Sequence, residues 1–177
     1  MKGEIKMKVK QLTTSAILLA LGAILHAVVP GTFAGLKPDF LLSMMFLAIF
    51  INFNPTNIAA TSIACGIISA MTTNFPGGQL PNIIDKCITG VVVGLMIYAL
   101  KKLSVPESVK MGIIGFIGTL LSGLAFLGSA ALIVGLPGAF GTLFAGVLFA
   151  AVGNVIFVVL LHQVYIRAGL NKFTVSQ

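Results

Sequence analysis

A cluster of polar and charged side chains lies near the middle of this 177-residue chain, in residues 72–86. The stretch contains two glycines and two prolines, and it ends in an adjacent aspartate and lysine, Asp85 and Lys86. Glycine and proline disfavour a continuous helix over 72–82, and a helix that begins near Asn82 would direct its first amide groups towards an anion. The stretch therefore predicts an irregular segment that binds a small ligand with a carboxylate group.

Six residues of this stretch have side chains suited to ligand contact: Asn74, Phe75, Gln79, Asn82, Asp85 and Lys86. The alternative is a solvated loop whose long side chains simply extend into water. Residues adjacent in sequence point in different directions on a helix. We therefore expect Asp85 and Lys86 to have separate partners rather than to contact each other.

A second charged pair, Lys37 and Asp39, flanks Pro38. Proline holds the residue before it in an extended conformation, and aspartate is a favoured N-cap for a following helix. The pair is either an interfacial lysine with a capping aspartate, or a cation and an anion at the rim of the same ligand site.

The composition identifies the surroundings of these groups as a membrane. Hydrophobic residues make up 58% of the chain, charged residues 8%, and the mean hydropathy is +1.09, whereas soluble domains carry about 25% charged residues. Barrel strands would alternate apolar and polar residues, and these runs do not. We predict an all-α integral membrane protein, a single transmembrane domain over 1–177, with six spans at about 13–29, 40–51, 56–73, 83–100, 111–134 and 140–166.

The formal net charge of +7 is unevenly distributed along the chain. Four lysines precede the first span, three lie near residues 101–110 and two basic residues follow the last span, which leaves Lys37 and Lys86 for the outer side. Basic residues concentrate on the cytoplasmic side of membrane proteins, so both termini are predicted to be inside. This clustering at span ends, without interleaved stacking aromatics, argues against nucleic-acid binding.

Small residues form a stripe on the first span, at Ala16, Ala20, Ala23 and Ala27. Spacings of three and four place them on one helix face, and small residues allow membrane helices to approach closely. The stripe is either internal packing or a docking surface for a separate subunit.

The sequence lacks the residue patterns that several activities require. The sequence has no phosphate-binding loop, no His-Glu-x-x-His and no Gly-x-Ser-x-Gly, which are the patterns of nucleotide hydrolysis and hydrolase chemistry. No charged residue is expected at the middle of a span, where proton-coupled transporters place carboxylates. Cys65 and Cys87 are expected to be small buried residues. We predict no enzyme activity, no cofactor and no metal site, but a binding subunit energised by another protein.

The chain resembles the substrate-capture (S) subunits of energy-coupling-factor importers, and among them the tryptophan-transporter family. The general resemblance rests on six short spans, the predicted topology and the alanines of the first span. The narrower one covers roughly residues 13–100 and rests on four segments: Gly35-Leu36-Lys37-Pro38-Asp39 with Met44-Met45-Phe46-Leu47, Gly66 to Ala70, Phe75-Pro76-Gly77-Gly78-Gln79, and Asn82-Ile83-Ile84-Asp85-Lys86.

The resemblance implies a subunit of the bacterial plasma membrane that captures tryptophan. Asp39 and Asp85 would bind the ammonium group, Lys37, Lys86 and a helix N-terminus the carboxylate, and Phe75 the indole. Ala16, Ala20 and Ala23 would dock a transmembrane coupling subunit driven by two ATPase subunits. The alternatives are an S subunit for another small nutrient, such as a vitamin, and a membrane scaffold without a ligand.

Overall fold

The structure is a computed structural model that describes residues 9–29 and 38–169. Within these ranges the chain is helical and contains no strand. The six helices are α1 (Val9–Val28), α2 (Phe40–Ile51), α3 (Pro55–Thr72), α4 (Gln79–Leu100), α5 (Glu107–Ile133) and α6 (Phe140–Arg167). We call the end that carries Asp39 and the 73–78 turn the outer end, and the opposite end the inner end, following the predicted topology.

Four of the described helices, α1, α4, α5 and α6, are long and apolar enough to cross a membrane. The other two differ for separate reasons. Helix α2 has 12 residues, about 18 Å, whereas the hydrocarbon core is about 30 Å thick. Helix α3 carries buried polar residues, among them Asn57, Thr61 and Ser62. Six helices are thus present among the described residues, while six full spans remain a prediction.

Helix α4 begins at Gln79, four residues before the predicted start. Pro81 is tolerated there because the first four amide groups of a helix have no partner within it. The break in regular structure is correspondingly short and lies at 73–78, where Gly77 has a φ of 70°, a conformation that glycine adopts most readily. The predicted interruption of the helix is present, but the predicted spans left 74–82 outside any helix, whereas 79–82 form the first turn of α4. Lys86 is therefore the eighth residue of α4 and lies roughly 10 Å from the start of that helix.

Helix α2 forms the centre of the bundle and packs against each of the other five helices. Nine of its 12 residues are buried, so its backbone and side chains are enclosed by protein. The N-terminus of α2 lies beside α4, where Asp39 Oδ2 accepts from Lys86 Nζ at 3.1 Å.

Helix α1 is fixed at the inner end by a network of buried polar groups. Ser15 Oγ donates to Asn57 Oδ1 at 2.7 Å, and Asn52 Nδ2 donates to Ser15 Oγ at 3.3 Å and to the Gln11 carbonyl at 3.2 Å. These bonds turn the Ser15 face of α1 towards α2 and α3. The side chains of Ala16 and Ala20 are consequently exposed on the outside of the described bundle.

Candidate functional site

Lys86 is the centre of a buried cluster of ionic groups. Its Nζ atom donates to Asp85 Oδ2 at 2.7 Å, to Asp39 Oδ2 at 3.1 Å and to Ser122 Oγ at 3.3 Å. An ammonium group has three donors, so these contacts use all of them. The cluster joins α4 to α5 and to the N-terminus of α2.

Asp85 and Lys86 therefore contact each other, and the expectation of separate partners was wrong. Their side chains leave the helix in different directions, but the long lysine stem bends so that Nζ reaches both carboxylates. Asp85 is 1% exposed and Lys86 3% exposed, and buried charges are retained only when they are paired. The same burial corrects the placement of Lys86 in an outer loop, since it lies inside the bundle.

Asp39 is the third ionic member and also the N-cap of α2. Its Oδ1 atom accepts from the Leu42 amide at 2.9 Å and lies 3.7 Å from His26 Nδ1, and its side chain is 27% exposed. Partial burial raises the pKa of this carboxyl, but Lys86, His26 and the Leu42 amide together hold the pKa below its usual value. Asp39 and Asp85 thus share the single ammonium group of Lys86.

The geometry of Asp85 and Lys86 depends on close packing of α3 and α4. Thr89, one turn further along α4, donates from Oγ1 to Asp85 Oδ1 at 2.9 Å. A Cβ atom added at Gly66 of α3 would lie 3.1 Å from Ile83 Cα, which is tighter than most Cβ contacts, and 3.5 Å from Lys86 Cβ, which is an ordinary contact. Glycine at position 66 thus lets the two helices approach at the level of the cluster.

The cluster borders a cavity of about 220 Å³. Polar groups form one side, and apolar groups from α5 and α6 form the other. The lining residues are Asp39, Leu42, Thr73, Asn82, Asp85, Lys86, Thr119, Ser122, Gly123, Phe126, Val147 and Ala150. Drug-sized ligands occupy pockets of roughly 300–1,000 Å³, so this cavity suits a smaller molecule with both a charged and an apolar part.

A pair of aromatic rings lies next to this cavity. Phe126 lines it, and Phe75 of the 73–78 turn packs edge-on against Phe126 with ring centroids 5.1 Å apart. This pair gives the cavity an apolar wall next to the ionic cluster. Across the described residues, no three His, Cys, Asp or Glu side chains are grouped as a metal site would require.

The structure brings four of the predicted ligand-binding residues together at the cavity: Asp39, Asn82, Asp85 and Lys86. Phe75 lies one layer behind, through its contact with Phe126. Asn74 and Gln79 are exposed and are not part of the lining. Lys37 lies outside the described residues.

The contribution of α5 and α6 to the cavity was not predicted from the sequence. Thr119 and Ser122 are one turn apart on α5 and line the cavity, and Thr119 Oγ1 accepts from Asn154 Nδ2 of α6 at 3.0 Å. The signal was two hydroxyl groups three residues apart in the apolar middle of α5, a spacing that places them on one face. Hydroxyl groups of this kind also cap backbone carbonyls within one helix, so the pattern alone was weak.

Comparison with known proteins agrees with the resemblance of the sequence motifs. Residues 8–168 match the family model described as Tryptophan transporter TrpP. A probable tryptophan transport protein of Bacillus subtilis (strain 168) is 43% identical over 162 residues, which cover 89% of this chain and 91% of that protein. Proteins of the same description from Clostridium acetobutylicum and Clostridium perfringens are 39% and 41% identical, over 86% and 88% of this chain and 92% and 90% of their own lengths. No solved structure matches the chain. With nearly its whole length matched, the chain belongs to the tryptophan transporter TrpP family.

Proposed function

We propose that this chain is the tryptophan-binding membrane subunit of an ATP-driven importer and that the cavity beside Lys86 is its substrate site. The observation that carries the proposal is a buried cluster in which two carboxylates share one lysine, placed beside Phe126 in a member of this family. The bacterial relatives that the chain matches are named as probable tryptophan transport proteins. We place the subunit in the bacterial plasma membrane.

The charge of the cluster selects the ammonium group of an amino acid. Two carboxylates face one lysine, and all three donors of that lysine are used within the cluster. Each ionised carboxylate has about four acceptor sites, so Asp39 and Asp85 retain acceptor capacity that a second cation can use. Lys86 is then a positioning residue that holds the two carboxylates together, rather than the partner of the substrate carboxylate.

The carboxylate and the indole of tryptophan would contact the remaining walls. Asn82 Nδ2 uses one donor on the Gly78 carbonyl at 2.8 Å, and an amide NH₂ has two. Thr73 Oγ1 accepts from the Phe75 amide at 3.2 Å, which leaves its hydroxyl hydrogen for an anion. The indole would pack against Phe126, since aromatic pairs favour offset or edge-to-face contact.

Coupling to an ATP-driven partner is supported by the face that α1 turns outwards. Ala16 and Ala20 are exposed, so they are not used for packing within the described bundle, while Ala23 is partly buried against the core at the edge of this surface. Small residues on an outward face leave room for the backbone of another membrane helix. We assign Ala16, Ala20 and Ala23 to the docking of a transmembrane coupling subunit, which two ATPase subunits drive.

Thermal unfolding of the purified protein with a panel of ligands tests the proposed substrate. A ligand that binds only the folded state raises the melting temperature according to its concentration relative to the dissociation constant. We expect tryptophan to stabilise the protein, and other amino acids and vitamins to have little effect at the same concentration. Stabilisation by a vitamin but not by tryptophan would assign the site to another nutrient, and stabilisation by no ligand would favour a scaffold.

A further inference from the structure

A second cavity, which we call the α3–α4 groove, lies on the inner half of the bundle and shares no lining residue with the tryptophan cavity. Its volume is about 530 Å³. The walls are apolar almost throughout and include Ile58, Ala59, Ile63, Val91, Gly94 and Leu95. Ile63, Val91 and Leu95 are more than half exposed, so the groove opens sideways, towards the surroundings of the bundle.

Two lysines lie over aromatic rings at the inner end of this groove. Lys101 Nζ is 3.9 Å from the centre of the Phe53 ring, and Lys102 Nζ is 5.3 Å from the centre of the Tyr98 ring. Both rings belong to the lining, and none of the lining residues is acidic. The groove therefore combines a long apolar wall with two positive charges at one end.

We propose that the α3–α4 groove binds an anionic phospholipid of the cytoplasmic leaflet. The apolar wall runs along two helices that pack against each other, and an acyl chain lies in the same direction in a bilayer. The charges at the inner end complement a phosphate headgroup, and basic pockets between membrane helices on the cytoplasmic side bind such headgroups. A wholly apolar occupant would leave the two positive charges at the end of the groove without a complementary charge, so charge complementarity favours the anionic lipid.

Native mass spectrometry of the detergent-solubilised protein tests this proposal with two lipids that have the same acyl chains, phosphatidylglycerol and phosphatidylcholine. Lysines near a membrane surface favour anionic lipids over zwitterionic ones. We expect phosphatidylglycerol to occupy the protein about an order of magnitude more tightly than phosphatidylcholine. Equal occupancy by the two lipids would overturn the proposal, because it would show that the headgroup is not recognised.

Two test variants, each with a control variant, locate the site. Lys101→Gln/Lys102→Gln should remove the preference for phosphatidylglycerol. Lys110→Gln, which removes a lysine of α5 that contacts neither ring, should keep the preference. Ala59→Phe should fill the groove and abolish binding of the most tightly bound phosphatidylglycerol molecule. Ala145→Phe, at an exposed position of α6, should leave that binding unchanged. Unchanged tryptophan stabilisation in each variant shows that it has folded.

Three further results would overturn the proposal. The first is an undiminished preference for phosphatidylglycerol in Lys101→Gln/Lys102→Gln. The second is undiminished binding of the tightest phosphatidylglycerol in Ala59→Phe. The third is loss of a co-purifying protein from Ala59→Phe while phosphatidylglycerol binding persists, which would assign the groove to a protein partner.

Discussion

At the scale of single residues, Lys86 balances two carboxylates inside the bundle. Removing one partner of a buried ion pair leaves an uncompensated charge and costs about 3–5 kcal/mol, whereas replacing the whole pair with neutral groups is often close to neutral. Lys86→Met leaves both Asp39 and Asp85 without their cation. In Asp85→Asn/Lys86→Met, Asp39 is the only carboxylate of the cluster that remains, and the Leu42 amide still stabilises it.

We therefore expect Lys86→Met to lower the melting temperature by on the order of 10 °C. The double variant should recover much of that loss without recovering tryptophan binding. Thermal unfolding in detergent provides the stability measurement, and calorimetry provides the affinity. A double variant that is less stable than Lys86→Met would show that Lys86 does not hold Asp85 in the manner described.

Asp39→Asn separates the charge of Asp39 from its role as a helix cap. Asparagine and aspartate are similarly good N-caps, so α2 should begin where it does now. Loss of a hydrogen bond to a charged group costs about 1.5–3 kcal/mol, and tryptophan affinity should fall about 10- to 100-fold. Titration calorimetry measures the change, with Asp39→Ala as the variant that also loses the cap. Unchanged affinity in Asp39→Asn would remove this carboxylate from the substrate site.

Where polar groups interrupt apolar runs, as at Asp39 and Asp85, the sequence alone indicated residues that line the cavity. It was misleading where adjacency was taken to prevent contact, because a lysine stem is long enough to overcome the divergence of two neighbouring side chains. It was silent about Ser122 and Phe126, since a serine or phenylalanine in an apolar helix has many ordinary roles. Their contribution follows from the packing of α5 against α4, which no local pattern specifies.

At the scale of elements, α1 is proposed to dock the coupling subunit through its small residues. Leucine is at least as soluble in hydrocarbon as alanine, so Ala16→Leu and Ala20→Leu should not disturb membrane insertion. Their bulk should prevent close approach of a second helix. We expect tryptophan affinity to be unchanged, while co-purification with the coupling subunit and uptake by cells are lost.

Ala145→Leu makes the same change at an exposed position of α6 and serves as the control. It should leave both tryptophan binding and co-purification intact. If Ala16→Leu and Ala20→Leu instead lose tryptophan binding while the complex still forms, the stripe supports the bundle itself. The exposure of Ala16 would then have no role in coupling.

The order and approximate bounds of the helices followed from hydropathy because apolar runs in this chain are separated by turn residues. The exact start of α4 did not, since Pro81 suggests a break although it is compatible with a first helical turn. Hydropathy also gave no indication that α2 is the central helix. That position depends on which helices enclose α2. Its nearly continuous apolar sequence is equally compatible with a span that faces lipid.

At the scale of the whole molecule, the chain is proposed to bind the substrate while another protein supplies the energy for uptake. No phosphate-binding loop is present in the sequence, and the buried carboxylates Asp39 and Asp85 are already paired with Lys86. Proteoliposomes that contain this protein alone should therefore bind tryptophan without concentrating it under a proton or sodium gradient. ATP should drive uptake only when the partner subunits are present. Accumulation under a gradient alone would identify a secondary transporter instead.

The central claim is that the cavity beside Lys86, which Asp39 and Asp85 line, recognises the ammonium group of tryptophan. Titration calorimetry with tryptophan, tryptamine and indole-3-propionate tests it most directly, because the second ligand lacks the carboxylate and the third lacks the ammonium group. We predict that tryptophan binds most tightly, that tryptamine retains measurable affinity, and that indole-3-propionate does not bind. Binding of indole-3-propionate with an affinity equal to or higher than that of tryptamine would contradict the account, because the cavity would then select the anion.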